Sequence, residues 1–306
     1  MKYKKLLLEK NFCRDAINRV STAEHSAKRN YSLRDFIRQI NLNSNKLKKI
    51  EALLHGNFRS SLAGTGFDFN EIREYRMGDD LRHISWNSTA KTGILQTKEY
   101  YAEKEIRTYL LIDISNSMFC GNKLEPFIKL TAFLLNLNCS FSEKIGSIFF
   151  SDDIKYHFPQ AEPNLQANII FNTLLDLINN PSSVSTSTNL AKTLEFLNRY
   201  ASKKGLIFIV SDFINITNWE KQIYNASQKQ NIYSFQVYDS IDYELPKSGY
   251  LSIIDPESKQ RIFVNTDIKR IQETYKLLMN KKQEHLVKFL KSIGAYHFVI
   301  EKKDFS

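Results

Sequence analysis

Tyr109-Leu110-Leu111-Ile112-Asp113-Ile114-Ser115-Asn116-Ser117-Met118 is the stretch on which the fold turns. Its first four residues are apolar without interruption, as a strand buried on both faces of a parallel sheet requires. The run ends abruptly in a carboxylate followed by two hydroxyls on alternate residues, a DxSxS pattern. A helical stretch is predicted next, over about 122–139, with Leu124, Phe127, Ile128, Leu130, Phe133, Leu134 and Leu137 on its apolar side. Strand, polar turn, helix: the polar side chains fall beyond the carboxyl end of a strand, where open α/β sheets form their ligand crevice.

Downstream the alternation continues. Ile148-Phe149-Phe150 reads as a second strand, and Ile154 to Phe158 can pair with it across the turn-forming Ser151-Asp152-Asp153. Helical spacing recurs near 164–179 and 189–203. Leu206-Ile207-Phe208-Ile209-Val210 is the clearest buried strand of the chain, and another runs from Ile232 to Tyr238. Residues 250–264 suggest a hairpin turning at Asp255-Pro256-Glu257. A long amphipathic helix then carries Ile268, Ile271, Tyr275, Leu278, Leu286, Phe289 and Leu290, and His297 to Ile300 reads as a last short strand. Strands alternating with helices predict a doubly wound α/β sheet over 106–306.

Upstream, two other compositions appear. Residues 1–55 are polar and basic, with helical spacing at Leu33, Phe36, Ile37 and Ile40 and again at Leu47, Ile50, Leu53 and Leu54. Residues 56–105 hold glycines at 56, 64, 66, 78 and 93 and short β-prone runs such as Ile94-Leu95-Gln96-Thr97, which predicts a β-rich extension. Of the net charge of +10, the first 50 residues carry +9, with 13 Lys/Arg against 4 Asp/Glu. Such an arm can meet nucleic acid, an anionic surface or an acidic protein face. It offers few aromatics to stack on bases, which disfavours nucleic acid.

No run approaches the ~18 apolar residues of a membrane helix, and the N-terminal apolar stretch is too short for a secretory leader. A cytoplasmic protein without a transmembrane segment is expected. Cys13, Cys120 and Cys139 form no CxxC pair, and the six histidines show no metal-ligand spacing, so neither a disulfide framework nor a zinc site is expected. Cys120 has no histidine nearby in sequence and reads as a packed thiol rather than a nucleophile.

The carboxylate and hydroxyls of Asp113, Ser115 and Ser117 are hard oxygen donors. Thr188, opening a helix in Ser187-Thr188-Asn189-Leu190, and Asp212, ending the strongest strand in Ser211-Asp212-Phe213, fit the same site. Together they suit Mg²⁺ (or Mn²⁺ or Ca²⁺), with water and a partner's oxygen completing the shell. The plainer alternatives are that Asp113 and Ser115 cap the next helix, that Thr188 is an N-cap, and that Asp212 is a turn aspartate. A metal-assisted hydrolase using the same carboxylates is the other class, but the sequence shows no general base, GxSxG elbow or P-loop. No catalytic residue is assigned.

A second motif lies upstream. Gly64-Thr65-Gly66-Phe67-Asp68-Phe69 leads into Arg73-Glu74-Tyr75-Arg76-Met77-Gly78-Asp79-Asp80-Leu81-Arg82-His83-Ile84-Ser85-Trp86. The segment resembles the GxGxxFxxxRxYxxGDDxRxIDW signature of the bacterial domain-of-unknown-function-58 family. Ala90-Lys91-Thr92-Gly93-Ile94-Leu95 resembles the ARTGxL that follows it, and the resemblance runs from about residue 50 to the C-terminus. Ser85 stands where the family usually has Asp, Lys91 where it has Arg, and Asn189 where it has Asp. The resemblance implies a von Willebrand A-type domain with an N-terminal extension, and a partnership with a MoxR-type AAA+ ATPase in chaperone-like assembly or maturation of client proteins. In such a protein the five oxygen ligands would hold a metal ion that grips a partner's carboxylate. Arg73, Tyr75, Gly78, Asp79, Asp80, Arg82 and Trp86 are the residues of this structural signature. On physical grounds Arg73, Arg76, Arg82, Asp79 and Asp80 are expected to form an ion-paired turn fixing the extension on the main domain, with direct partner binding as the sharper alternative, and Trp86 and Trp219 read as core or edge packing.

Overall fold

The computed structural model describes residues 32–40, 44–101, 107–119, 121–142, 144–179, 188–201, 204–214, 218–245, 247–254 and 261–305. The basic arm up to residue 31, Cys120, Ser187 and the Asp255–Glu257 turn lie outside them. By contacts the chain forms two compact units, one of residues 1–44 with 107–306 and one of residues 45–106.

In the larger unit a short helix, α1 (Leu33–Gln39), precedes the sheet. The smaller unit opens on α2 (Asn45–Leu62). This helix runs through the boundary expected near residue 55. Gly56 lies inside it, because one glycine costs a helix only about 1 kcal/mol relative to alanine and the flanking turns carry it through. The unit continues with β1 (Ala63–Glu74), α3 (Trp86–Thr92) and β2 (Gln96–Tyr101), with β1 and β2 antiparallel. The extension is thus one bulged hairpin with helices rather than β-rich throughout. Gly93, at φ +73, takes the left-handed conformation that ends α3.

The larger unit then supplies β3 (Arg107–Asp113), α4 (Leu124–Phe141), β4 (Lys144–Phe150), β5 (Ile154–Ala161), α5 (Pro163–Asn179), α6 (Leu190–Tyr200) and β6 (Gly205–Ser211). It closes with α7 (Glu220–Ser227), β7 (Gln230–Val237), the hairpin β8 (Tyr250–Ile254) and β9 (Arg261–Asn265), α8 (Lys269–Ser292) and β10 (Tyr296–Ile300). The main sheet has the order β10-β7-β6-β3-β4-β5, parallel except for the edge strand β5. This is a mixed α/β fold built on a six-stranded, mostly parallel sheet.

Alternation along the strands divides the core. Tyr109, Leu111, Ile207 and Ile209 pack on one face with Leu190, Leu194 and Leu197 of α6, Ile223 of α7 and Leu286 and Leu290 of α8. Leu110, Ile112, Phe208 and Val210, equally buried, point to the other face. Burying each such side chain contributes roughly 1.5–3 kcal/mol, which is why the central strands read as unbroken apolar runs. The order also contains a reversal. From β3 the chain moves to β4 on one side, then returns to β6 on the other. The crevice between the ends of β3 and β6 is therefore the sheet's switch point, the place where ligands bind in this class of sheet.

Candidate metal centre

Asp113 is the last residue of β3, and Asp212 follows the last residue of its neighbour β6. Both carboxylates thus reach the switch point from adjacent strands. Ser211 Oγ donates to Asp113 Oδ2 at 2.6 Å, and the Ser115 N–H donates to Asp113 Oδ1 at 2.9 Å, closing a tight turn. That turn sets the hydroxyls of Ser115 and Ser117 3.0 Å apart. Phe213, at φ +58, holds a left-handed conformation that costs a bulky side chain of order 1–3 kcal/mol. In this bend the Phe213 N–H donates to Ser211 Oγ and the Ile214 N–H to Asp212 Oδ1, at 3.1 and 3.2 Å.

Asp113 and Ser115 are fully buried and Ser117 half-buried. The donors to Asp113 are neutral hydroxyls and a backbone amide. Burial pushes its carboxyl well above the usual range and the nearby Asp212 adds to that, while the hydrogen bonds from Ser211 and Ser115 pull the other way. Among the described residues no cation pairs with Asp113, and a buried carboxylate so placed is where a divalent ion fits.

Thr188 is buried at the same pole of the sheet. The Asn189 N–H donates to the carbonyl of Ser151, just past β4, at 2.7 Å. The N-cap of α6 is Asn189, whose Oδ1 accepts the Lys192 N–H at 3.0 Å. Capping is therefore not what Thr188 does. The structure joins Asp113, Ser115, Ser117 and Asp212 through strand pairing and short hydrogen bonds. Thr188 reaches this pole by way of the β4 end.

Sequence reasoning missed the residues behind this set. Lys123, just ahead of α4, is 2% exposed at its side chain. Its Nζ donates to Asp212 Oδ2 at 2.8 Å and lies 2.8 Å from Asp242 Oδ2. Burial works against the ammonium, but Asp212 and then Asp242 outweigh it, so its pKa is raised. The Asp242 carboxyl is also raised, by burial, with Lys123 opposing. Lys123 is aimed by the turn before it. Gly121 has φ +66, and a Cβ there would sit 2.7 Å from Asp239 Oδ2, which accepts the Asn122 N–H at 2.7 Å. Asp239 and Asp242 come just after β7, so a carboxylate soon after a strand end was the signal available for them. Lys123 and Ser211 carried none.

The upstream signature forms its own geometry within residues 45–106. Arg73 grips Asp79 with two parallel bonds of 2.8 and 2.9 Å, and the Arg76 N–H donates to Asp79 Oδ2. Glu99 lies 3.6 Å from the same guanidinium. Arg82 pairs with Asp80, whose carboxylate also accepts the Arg82 N–H. Gly78 takes φ +108 in the turn, and the Tyr75 N–H bonds the Leu95 carbonyl. Ser85, where the family pattern has Asp, is buried and hydrogen-bonds Ser88 through its hydroxyl. The packing expectation for Trp86 is wrong. Trp86, the first residue of α3, is 68% exposed, and none of that helix's residues is buried. Trp219 is buried, edge-on to Phe289.

Among the described residues no group of three or more His, Cys, Asp or Glu side chains forms a metal cage. An ion at the switch point would therefore rely on Asp113 with hydroxyls and water, the donor mixture Mg²⁺ accepts. No helix among the described residues is long and apolar enough to cross a membrane.

Residues 71–285 match the family described as protein of unknown function DUF58. The uncharacterized protein Rv1480 of Mycobacterium tuberculosis is 26% identical over 215 residues, covering 69% of this chain and 67% of that protein. Two solved structures are similar at 15% identity. One is an aerotolerance-related membrane protein from Bacteroides fragilis with multiple mutations to serines, at TM-score 0.44, covering 65% of this chain and 93% of that one. The other is the conserved hypothetical protein BatB from Bacteroides thetaiotaomicron, at TM-score 0.41, covering 64% and 90%.

Proposed function

This chain belongs to the DUF58 family, and from that premise we propose that it is a non-enzymatic, metal-dependent protein-binding module. Its larger unit would be a von Willebrand A-type domain with a metal-ion-dependent adhesion site. Asp113, Ser115 and Ser117 would hold Mg²⁺ (or Mn²⁺ or Ca²⁺) directly, with Asp212 and Thr188 contributing directly or through water. The bound ion would supply a fixed positive charge with an open coordination position, and a client's carboxylate would fill it. One observation carries this reading. A buried carboxylate with only neutral donors sits beside two converging hydroxyls at the switch point of a parallel sheet. An adaptor role in the cytoplasm beside a MoxR-type AAA+ ATPase, in assembly or maturation of other proteins, is what membership of the family suggests.

The test is capture of tagged protein from its native lysate in Mg²⁺, beside Asp113→Ala and beside wild type in chelator. An AAA+ ATPase retained only by wild type with Mg²⁺ is the expected result. Retention in all three samples would move the interface away from the strand ends. Recovery of nucleic acid alone, indifferent to the substitution, would sink the reading.

A further inference from the structure

The proposed ion and a buried ammonium compete for the same carboxylate. Lys123 reaches Asp212 Oδ2 and Asp242 Oδ2 at 2.8 Å each, with its side chain almost wholly enclosed. The other oxygen of Asp212 accepts the Ile214 N–H. Asp212 is thus paired with an ammonium it shares with Asp242 and hydrogen-bonded from within the chain, whereas the donors described for Asp113 are neutral. The ammonium is also pinned in place: Gly121, at φ +66, and the bond from Asn122 N–H to Asp239 fix the turn that delivers it.

We infer that Lys123 is the resident counter-cation of this site, and that it lowers the site's affinity for a divalent ion by holding Asp212. The inference rests on the metal-binding reading above and adds its regulation. With Asp212 paired, the protein presents the ion one uncompensated carboxylate rather than two, and affinity at such sites follows the charge count of the ligands. The ammonium repels the ion as well. The charge that Lys123 neutralises is the charge an acidic group of a partner would restore, so metal and carboxylate would be bound together rather than in succession.

The experiment uses Mn²⁺ alone as the probe, titrated into the full chain and followed by the paramagnetic resonance of the free ion. Wild type, Lys123→Met and Asp242→Asn are compared, with circular dichroism as the check of folding. Wild type should bind one ion weakly. Lys123→Met should bind it at least about tenfold more tightly, since a unit charge near a divalent ion matters that much even at high dielectric. Asp242→Asn should bind more weakly than wild type, because the ammonium then rests on Asp212 alone. A folded Lys123→Met that binds no more tightly than wild type overturns the inference and leaves the metal site standing. If Lys123→Met does not fold, Asp242→Asn decides, and unchanged or tighter binding there overturns it. Absence of bound Mn²⁺ in all three overturns the metal site and this inference together.

Discussion

Two regions of this molecule are dense in charge, and they handle it in opposite ways. In the Arg73–Arg82 segment, Asp79 and Asp80 each have a guanidinium within hydrogen-bond reach, at or near the surface. At the strand ends of the main sheet Asp113 and Asp212 are enclosed and Asp242 is half-buried, and among the described residues Lys123 alone pairs with any of them. Arginine forks on exposed carboxylates shape a turn and cost little to form. Buried carboxylates in excess over cations are costly, because each lost its water on folding. A fold retains such an excess where the charge is used, so the strand ends rather than the signature segment are the place to look for ligand chemistry.

The largest effect should come from breaking the buried side of this contrast. Lys123→Met leaves Asp212 enclosed and Asp242 half-buried without their ammonium, and removing one partner of a buried pair costs about 3–5 kcal/mol. Urea unfolding in chelator should show a loss of that size. Adding Asp212→Asn to Lys123→Met should recover a good part of it, since the stranded charge goes too. Additive losses in that double-mutant cycle would mean that the two side chains are not coupled as their 2.8 Å contact implies.

A second, half-buried group sharpens the comparison because its described partner is a neutral hydroxyl. His297 on β10 bonds Ser234 Oγ at 3.1 Å through Nδ1, and its Nε2 is buried without a hydrogen-bond partner. Burial lowers its pKa to about 4. The unfolded chain takes up a proton on this ring below about pH 6.5, whereas the folded chain does so only near pH 4. Stability should therefore fall as pH drops from 6.5 towards 4, by roughly 3 kcal/mol in total, and fall no further on this account below that. Denaturation series at pH 7, 5.5 and 4 on wild type and His297→Phe should differ by that amount. Parallel slopes for the two proteins would show that the ring takes up its proton at the same pH in the folded and the unfolded chain.

Much of this arrangement was legible in the sequence, for a reason that also marks the limit. A strand buried on both faces must be apolar throughout, so Tyr109–Ile112 and Leu206–Val210 announced themselves, and Asp113 and Asp212 stood out as the carboxylates that end them. The hydroxyl pair of Ser115 and Ser117 followed from local spacing. Lys123 and Ser211 did not, because their partners lie 89 and 98 residues away and are brought there only by the strand order. Nor did the extent of α2, because Gly56 carries the same symbol in a helix as in a turn. Trp86 shows a complementary error: an aromatic residue suggests a core, yet its exposure depends on which side of a short helix it starts.

The exposed side of the contrast should give the smallest effect, and the absence of a large one is itself informative. The Arg73 guanidinium and then the Arg76 N–H hold the Asp79 carboxyl down to about 2, and Asp80 is lowered further by Arg82. A depressed carboxylate adds stability that is present above the unfolded value near 4 and is lost as pH falls towards the folded one. Asp80 is exposed and Asp79 lies near the surface, so screening discounts that contribution heavily. Asp80→Asn should leave the Tm of the full chain unchanged within error. Asp79→Asn should lower it slightly, through loss of the charged two-bond pairing with the Arg73 guanidinium, and the difference should shrink in high salt and disappear near pH 2. A shift from Asp79→Asn as large as that from Lys123→Met would erase the distinction between the two regions. It would assign the signature segment a stabilising role comparable to that of the buried strand ends.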